Sequence, residues 1–207
     1  MNNKEVTTIF KDRKGKSILE YKKSAVVIPL IEIDGETNII FEVRSLKLRS
    51  QPGDVCLPGG KVDKDESVKG AAARELKEEL LLEDEDFHIV GEMDYFISPY
   101  GNQMYCFVAE LYKKPDSYNS EEVDHIFYVP LQYFINNEPQ CHPMRISPKF
   151  QEDFPFNMIR GGREYKFSTG KLNQYFYKYK EYTIWGFTAL IVKRFIDIII
   201  KEEKGDK

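Results

Sequence analysis

The chain has 207 residues, 42% of them hydrophobic, 31% charged and 14% aromatic, a composition that builds a real core and excludes a disordered polypeptide. A formal net charge of −4 gives no general attraction to nucleic acid. Cys56, Cys106 and Cys141 are odd in number and show no paired spacing, which predicts free thiols in a reducing, cytoplasmic setting.

At the start of the chain, "MNNKEVTTIFKDRKGK" is too polar for a signal peptide, and the closing "KGDK" is not a peroxisomal Ser-Lys-Leu signal. "SAVVIPLIEI" (24–33) is β-branched and apolar and predicts a strand. Asp34-Gly35 is a turn signal, and "TNIIFEVRS" (37–45) is the returning strand. Gly and Pro crowd 49–67, which predicts a loop around a short strand at Val55–Leu57. Ser67 is an N-cap for a helix to about Leu82, with Ala72, Ala73, Leu76 and Leu80 as its apolar face. Strands are expected at 87–96, 103–112 and 125–131, and a short helix after Pro130. The segment 150–182 is aromatic and polar and is not placed by any simple pattern. "TIWGFTALIVKRFIDIII" (183–200) is interrupted by Lys193, Arg194 and Asp197, so it predicts a C-terminal helix packed on the body rather than a membrane span. There is no repeat and no linker, and the length suits a single domain over 1–207 with its core at about 24–192. The expected class is α/β (α+β), a mixed sheet covered by helices on both sides.

Within the first long helix, "AAARELKEEL" (71–80) sets Glu75, Glu78 and Glu79 at spacing i, i+3, i+4, within an arc of roughly 100°. Like charges at that spacing destabilise a helix by roughly 0.2–0.5 kcal/mol per pair, so the face is either simply solvated or offset by something else. A Gly-rich turn, Pro58-Gly59-Gly60, lies beside it. Glu66 opens the helix, and Arg74 is the cation placed to tie loop to helix. Oxygen ligands on one face suit a hard divalent cation, Mg²⁺ or Mn²⁺. Zinc is disfavoured because His88, His125 and His142 lack ligand spacing. "DKDESVKGAAAR" is not an EF-hand loop, since Val68 stands where Gly is required and Arg74 where the last Glu belongs. Gly60-Lys61 is followed by Val62, which excludes a Walker phosphate loop.

The window resembles the Nudix box, G-x5-E-x7-R-E-U-x-E-E-x-G-U with U aliphatic, on Gly60, Glu66, Arg74, Glu75, Leu76, Glu78, Glu79 and Leu82. Leu81 stands where the family has Gly. Gly takes a positive φ cheaply there and Leu does not, so the helix exit is expected to run differently. Upstream, "FEVRSLKLRSQPGDVCLPGG" (41–60) is similar to the pattern L-L-T-x-R-[SA]-x3-R-x3-G-x3-F-P-G-G of the coenzyme A diphosphatase sub-group. Arg44, Ser45, Arg49, Gly53, Pro58, Gly59 and Gly60 fall in register, Leu57 replaces Phe, and Phe41-Glu42 matches the opening loosely. "EEVDHIFYVPL" and "IWGFTALIV" also resemble segments of that sub-group, so the likeness runs from about Ser24 to Val192 and is weakest over 150–182.

The resemblance implies a Nudix-type α/β/α sandwich with a catalytic loop–helix–loop. It implies Mg²⁺- or Mn²⁺-dependent hydrolysis of the diphosphate of coenzyme A or an acyl-CoA, giving adenosine 3',5'-bisphosphate and 4'-phosphopantetheine or its acyl form. Glu75, Glu78 and Glu79, with the Gly59 carbonyl, would be metal ligands, and Glu66 and Arg74 a brace between loop and helix. Arg44 and Arg49, with Gly59 and Gly60, would meet the substrate, although each arginine reads equally as a loop brace. The general base is open between Glu78 and the loop acids Glu121, Glu122 and Asp124. Hydrolysis of ADP-ribose or dinucleotides would use the same cradle. A nucleotide-sensing module without catalysis is a third reading, which the intact glutamate set argues against. The expected partners are a small-molecule substrate and a divalent cation, with no nucleic acid and no membrane, in a monomer or homodimer.

Overall fold

A computed structural model describes residues 1–204. In chain order the elements are α1 (Asn3–Phe10), β1 (Lys22–Ile33), β2 (Glu36–Arg44), β3 (Val55–Cys56), β4 (Gly59–Lys61), α2 (Val68–Leu80), β5 (Phe87–Glu92), β6 (Phe96–Ile97), β7 (Asn102–Leu111), β8 (Val123–Pro130), α3 (Leu131–Asn136), β9 (Gln140–Ile146), β10 (Gly170–Tyr179), β11 (Tyr182–Trp185) and α4 (Gly186–Glu203). β1 to β8 form one mixed eight-stranded sheet, and β9 to β11 form a separate three-stranded antiparallel sheet.

The centre of the large sheet is β1. It turns into β2 through Asp34 and Gly35, both at positive φ (52° and 80°), as a two-residue hairpin of primed type requires. On its other side β1 runs parallel to β7, from Lys22 opposite Asn102 to Ile31 opposite Leu111. Both faces of β1 are therefore covered, which is why its sequence is a continuous apolar run instead of an alternation. Ala25 and Val27 enter one core with Ile40, Leu76, Leu80 and Phe107, beneath α2. Val26 and Ile28 enter the other with Phe41, Phe127, Ile191, Val192 and Phe195, beneath α3 and α4. The helix–sheet–helix sandwich is thus the expected one.

Several local expectations are corrected. The run 87–96 is not one strand: β5 carries an irregularity between Ile89 and Gly91, and β6 re-pairs with β7 further on. Pro58-Gly59-Gly60 is not a free turn, because Gly59 and Gly60 pair with Val26 and Ala25 as β4. The polar N-terminus contains α1, started by a reciprocal Asn2–Glu5 capping box, although it buries no residue. The unplaced region 150–182 supplies β10 and the start of β11. Before them Phe150, Phe154, Phe156 and Phe167 form a cluster with ring centroids 4.5–6.4 Å apart.

The exit of α2 also differs from expectation. Leu81 itself adopts the left-handed conformation (φ 49°, ψ 49°), and its amide donates to the Lys77 carbonyl, so the helix closes as it would with glycine. A left-handed residue other than glycine costs about 1–2 kcal/mol. The greater unfolded-state freedom of glycine takes back about 0.4–1 kcal/mol of any gain. Leu81→Gly is therefore expected to raise the melting temperature by about 2–4 °C, and the β-branched Leu81→Val to lower it. A lower melting temperature for the glycine variant in calorimetry would show that contacts of the Leu81 side chain outweigh its backbone strain.

Candidate active site

Arg74 organises the acidic face of α2. Its Nε donates to Glu66 Oε1 at 3.0 Å and one terminal nitrogen to Glu66 Oε2 at 3.1 Å, a two-pronged grip on a planar carboxylate. The same terminal nitrogen reaches the Lys61 carbonyl at 3.0 Å, and the other donates to Glu75 Oε1 and Glu78 Oε2, each at 2.9 Å. One guanidinium thus fastens the segment after β4 to the helix and offsets the repulsion that the Glu75–Glu78 spacing creates. Glu66 also accepts the Asp63 amide at 3.1 Å. The Arg74 bond first, and that amide second, hold its carboxyl below the usual range.

The two inner acids are different. Glu75 and Glu79 are buried, at 9% and 4% exposure. Burial raises the Glu75 carboxyl against the pull of Arg74. Burial, reinforced by Glu75 and Glu122, pushes the Glu79 carboxyl up to about 8, although the Gly59 amide donates to its Oε2 at 2.8 Å. Gly59 and Gly60 are required by this packing. A Cβ at Gly59, where φ is 154°, would strike the Ala25 carbonyl, and one at Gly60 would strike the Glu75 carboxylate. At Gly59 the group joined to the acids is the amide.

The remaining residues singled out in the sequence divide. Arg44 donates from Nε to the Ser50 carbonyl at 3.3 Å, and its backbone exchanges bonds with Asp54 (2.9 Å) and Gly53 (3.0 Å), which closes the loop after β2. Arg49 is exposed on that loop and lies outside the pocket lining described next. Glu121 pairs with Lys47 at 2.8 Å and Asp124 with His125 at 2.7 Å. Among these loop acids, Glu122 alone contributes to the charge felt at both Glu75 and Glu79. The loop carrying it is tied to α2 by the Asn119 amide, which donates to the Glu79 carbonyl at 2.9 Å.

Gly59 and Gly60 also line a pocket of about 460 Å³ on the other side of the sheet. Arg44, Gln51 and Asp54 stand at it, and its walls include Met104, Met144, Trp185, Phe187 and Ile191. The last four come from β9, β11 and α4, and sequence reasoning passed over them because they are scattered through 144–191 without a shared period. The second omission is Glu42, an acid in the middle of the apolar run "IIFEV" and only 1% exposed. Burial, then the nearby Glu79 charge, raise its carboxyl well above the usual range. Its signal was the position itself, since a strand interior buried on both faces is an expensive place for a carboxylate.

The donor set suits a hard divalent cation, being all oxygen, with the deeply buried Glu79 carboxylate meeting a backbone amide and, among the described residues, no cationic side chain. Among the described residues no three His, Cys, Asp or Glu side chains stand gathered as a ready ligand group. Arg74 draws Glu75 and Glu78 to itself, and the Gly59 amide holds Glu79.

Comparison with known proteins bears on this geometry. The chain is 33% identical over 149 residues to the peroxisomal coenzyme A diphosphatase NUDT7 of Mus musculus, covering 67% of this chain and 58% of that protein. It is 34% identical over 122 residues to the peroxisomal coenzyme A diphosphatase ndx-8 of Caenorhabditis elegans, covering 56% and 52%. It therefore spans little more than half the length of these two relatives. The uncharacterized Nudix hydrolase NudL of Enterobacter sp. (strain 638) is 27% identical over 189 residues, covering 89% and 86%. A crystal structure of a MutT/nudix family protein from Enterococcus faecalis aligns over 96% of this chain and 70% of its own, at 12% identity and a TM-score of 0.49. No described helix is long and apolar enough to cross a membrane. The family model for the NUDIX domain matches residues 21–146, from the start of β1 to the end of β9 and including every acid of the Arg74 cluster, and the chain belongs to that family.

Proposed function

We propose that this protein is a Mg²⁺- or Mn²⁺-dependent diphosphatase acting on coenzyme A or an acyl-CoA, in the cytoplasmic setting that its three free cysteines suit. The observation that carries the reading is the junction at Gly59–Gly60. One side of that short strand meets the buried carboxylates of α2, and the other lines the pocket walled by Met104, Met144, Phe187 and Ile191. A ligand whose charged diphosphate carries a long uncharged arm matches such a site. The Arg44–Gly53 register and the two coenzyme A diphosphatases among the relatives support the same substrate class.

Glu75, Glu78, Glu79 and the Gly59 carbonyl would hold the cation, which when bound neutralises the diphosphate and polarises its phosphorus. The chain's own residues do the rest. Arg44, on the pocket wall, carries a planar fork suited to a phosphate. Glu78 Oε2 is pinned by Arg74, while Glu78 Oε1 has no hydrogen-bond partner among the described residues and is assigned the proton of the attacking water. The water oxygen bonds to one phosphorus, the bond from that phosphorus to the bridging oxygen breaks, and the bridging oxygen leaves with the second phosphate. The products are adenosine 3',5'-bisphosphate and 4'-phosphopantetheine or its acyl form.

The deciding experiment is hydrolysis of coenzyme A, ADP-ribose and NADH by the metal-stripped protein, with and without added Mg²⁺ or Mn²⁺. Coenzyme A is expected to be cleaved fastest, only with metal, and activity to disappear on adding a chelator. Equal turnover in metal-free buffer would overturn the cradle, and preference for ADP-ribose would move the substrate class. Glu79→Gln keeps shape and removes a charge. Its kcat is expected to fall at least about 10²-fold, the scale of losing one key electrostatic stabiliser. Its metal-free melting temperature is expected to hold or rise, because a neutral amide is cheaper to bury than a carboxyl that burial presses toward neutrality. Near-normal turnover would remove Glu79 from the site. For Arg44→Ala, a contact remote from the broken bond should raise KM more than it lowers kcat. Comparing kcat/KM for coenzyme A and dephospho-coenzyme A tests which phosphate it reads. A ratio unchanged from wild type would return Arg44 to the role of loop brace.

A further inference from the structure

Glu42 is the one described residue with a buried side-chain oxygen, Oε1, that has no hydrogen-bond partner. Its other oxygen meets only the Cys56 thiol, at 3.8 Å. Position 42 lies in β2 with its backbone paired to Cys56 of β3 and Ile126 of β8, and its side chain is shut off from solvent. Strand alternation fixes its direction. Phe41 and Val43 belong to the core beneath α4, while Ile40 belongs to the core beneath α2. Glu42 therefore points with Ile40 toward α2, where Glu79 is also buried, and the Glu79 charge opposes ionisation of Glu42.

Neither protonation state satisfies Glu42 with the protein alone. Ionised, it is a buried anion facing a second one. Protonated on either oxygen, it still leaves Oε1 buried without a partner, as donor or as acceptor. A bound cation would give Oε1 a partner and at the same time let both carboxylates stay ionised. The position also departs from the sub-group pattern L-L-T-x-R, which has a small neutral threonine there.

We propose that Glu42 is a further carboxylate ligand of the divalent-cation site, contributed by β2 from outside the Nudix box and acting beside Glu79. The proposal rests on the metal-dependent reading above and enlarges its ligand set.

The test is calorimetric titration of Mn²⁺ into the metal-stripped 207-residue chain, with circular dichroism to verify folding. Glu42→Gln, which keeps the shape, is expected to weaken Mn²⁺ binding by at least about tenfold, while the metal-free melting temperature holds or rises. Glu42→Thr, the residue of the sub-group pattern, is the second variant and should weaken binding likewise. Glu121→Gln, whose partner is the surface residue Lys47, is the control and should bind as wild type does. Wild-type affinity in a folded Glu42→Gln or Glu42→Thr would overturn the role of Glu42 and leave the cradle standing. Absence of Mn²⁺ binding to the wild-type chain would overturn both.

Discussion

Everything at this site depends on one guanidinium having enough donors. Arg74 meets Glu66, Glu75, Glu78 and the Lys61 carbonyl at once, and only a rigid five-donor fork can divide itself that way. Release the fork and three consequences follow together. The carboxylates on α2 repel, the segment from Lys61 to Glu66 loses its tie to the helix, and the strand Gly59–Lys61 keeps its pairing with β1 but loses its anchor at Lys61.

The acids divide by what surrounds them. Glu66 is held as an anion by Arg74 and a backbone amide and serves architecture. Glu79 and Glu42 are pressed by burial toward neutrality and are short of positive charge. A protein seldom keeps carboxylates in that condition for stability, because isosteric neutral residues would be cheaper to bury. The same contrast separates the two faces of Gly59–Gly60: charge crowded behind the strand, apolar walls in front of it.

Much of this was legible in the sequence. The spacing of Glu75, Glu78 and Glu79 and the position of Arg74 are fixed by helical periodicity, a local property, and the glycines by close approach. The β1–β2 hairpin followed from Asp34-Gly35. What was not legible depends on long-range contacts. Alternation alone sends Val26 and Val27 to opposite faces, but that both faces are covered, one by α2 and the other by α4, is a long-range fact that no local pattern states. Glu42 could be seen as an acid in an apolar strand, but its neighbour Glu79 comes from a helix more than thirty positions on. Region 150–182 was opaque because its aromatics pack on one another, as in the Phe150–Phe167 pair, instead of following a strand or helix period. Leu81 departs from expectation because the helix closes in the left-handed conformation even with an exposed leucine where propensity asks for glycine.

The order in which the pocket is assembled has a consequence for biogenesis. Ser24 on β1 meets its partner Asn102 78 residues later, and the Val55 carbonyl receives the Thr188 hydroxyl from 133 residues away. Loop closures of that span slow folding. During synthesis the acids of α2 and the apolar edge at Val55–Leu57 leave the ribosome well before α4, so the growing chain carries an acidic helix beside an uncovered greasy strand. That interval is when the chain is most open to aggregation or chaperone capture, and it ends only when the last helix arrives.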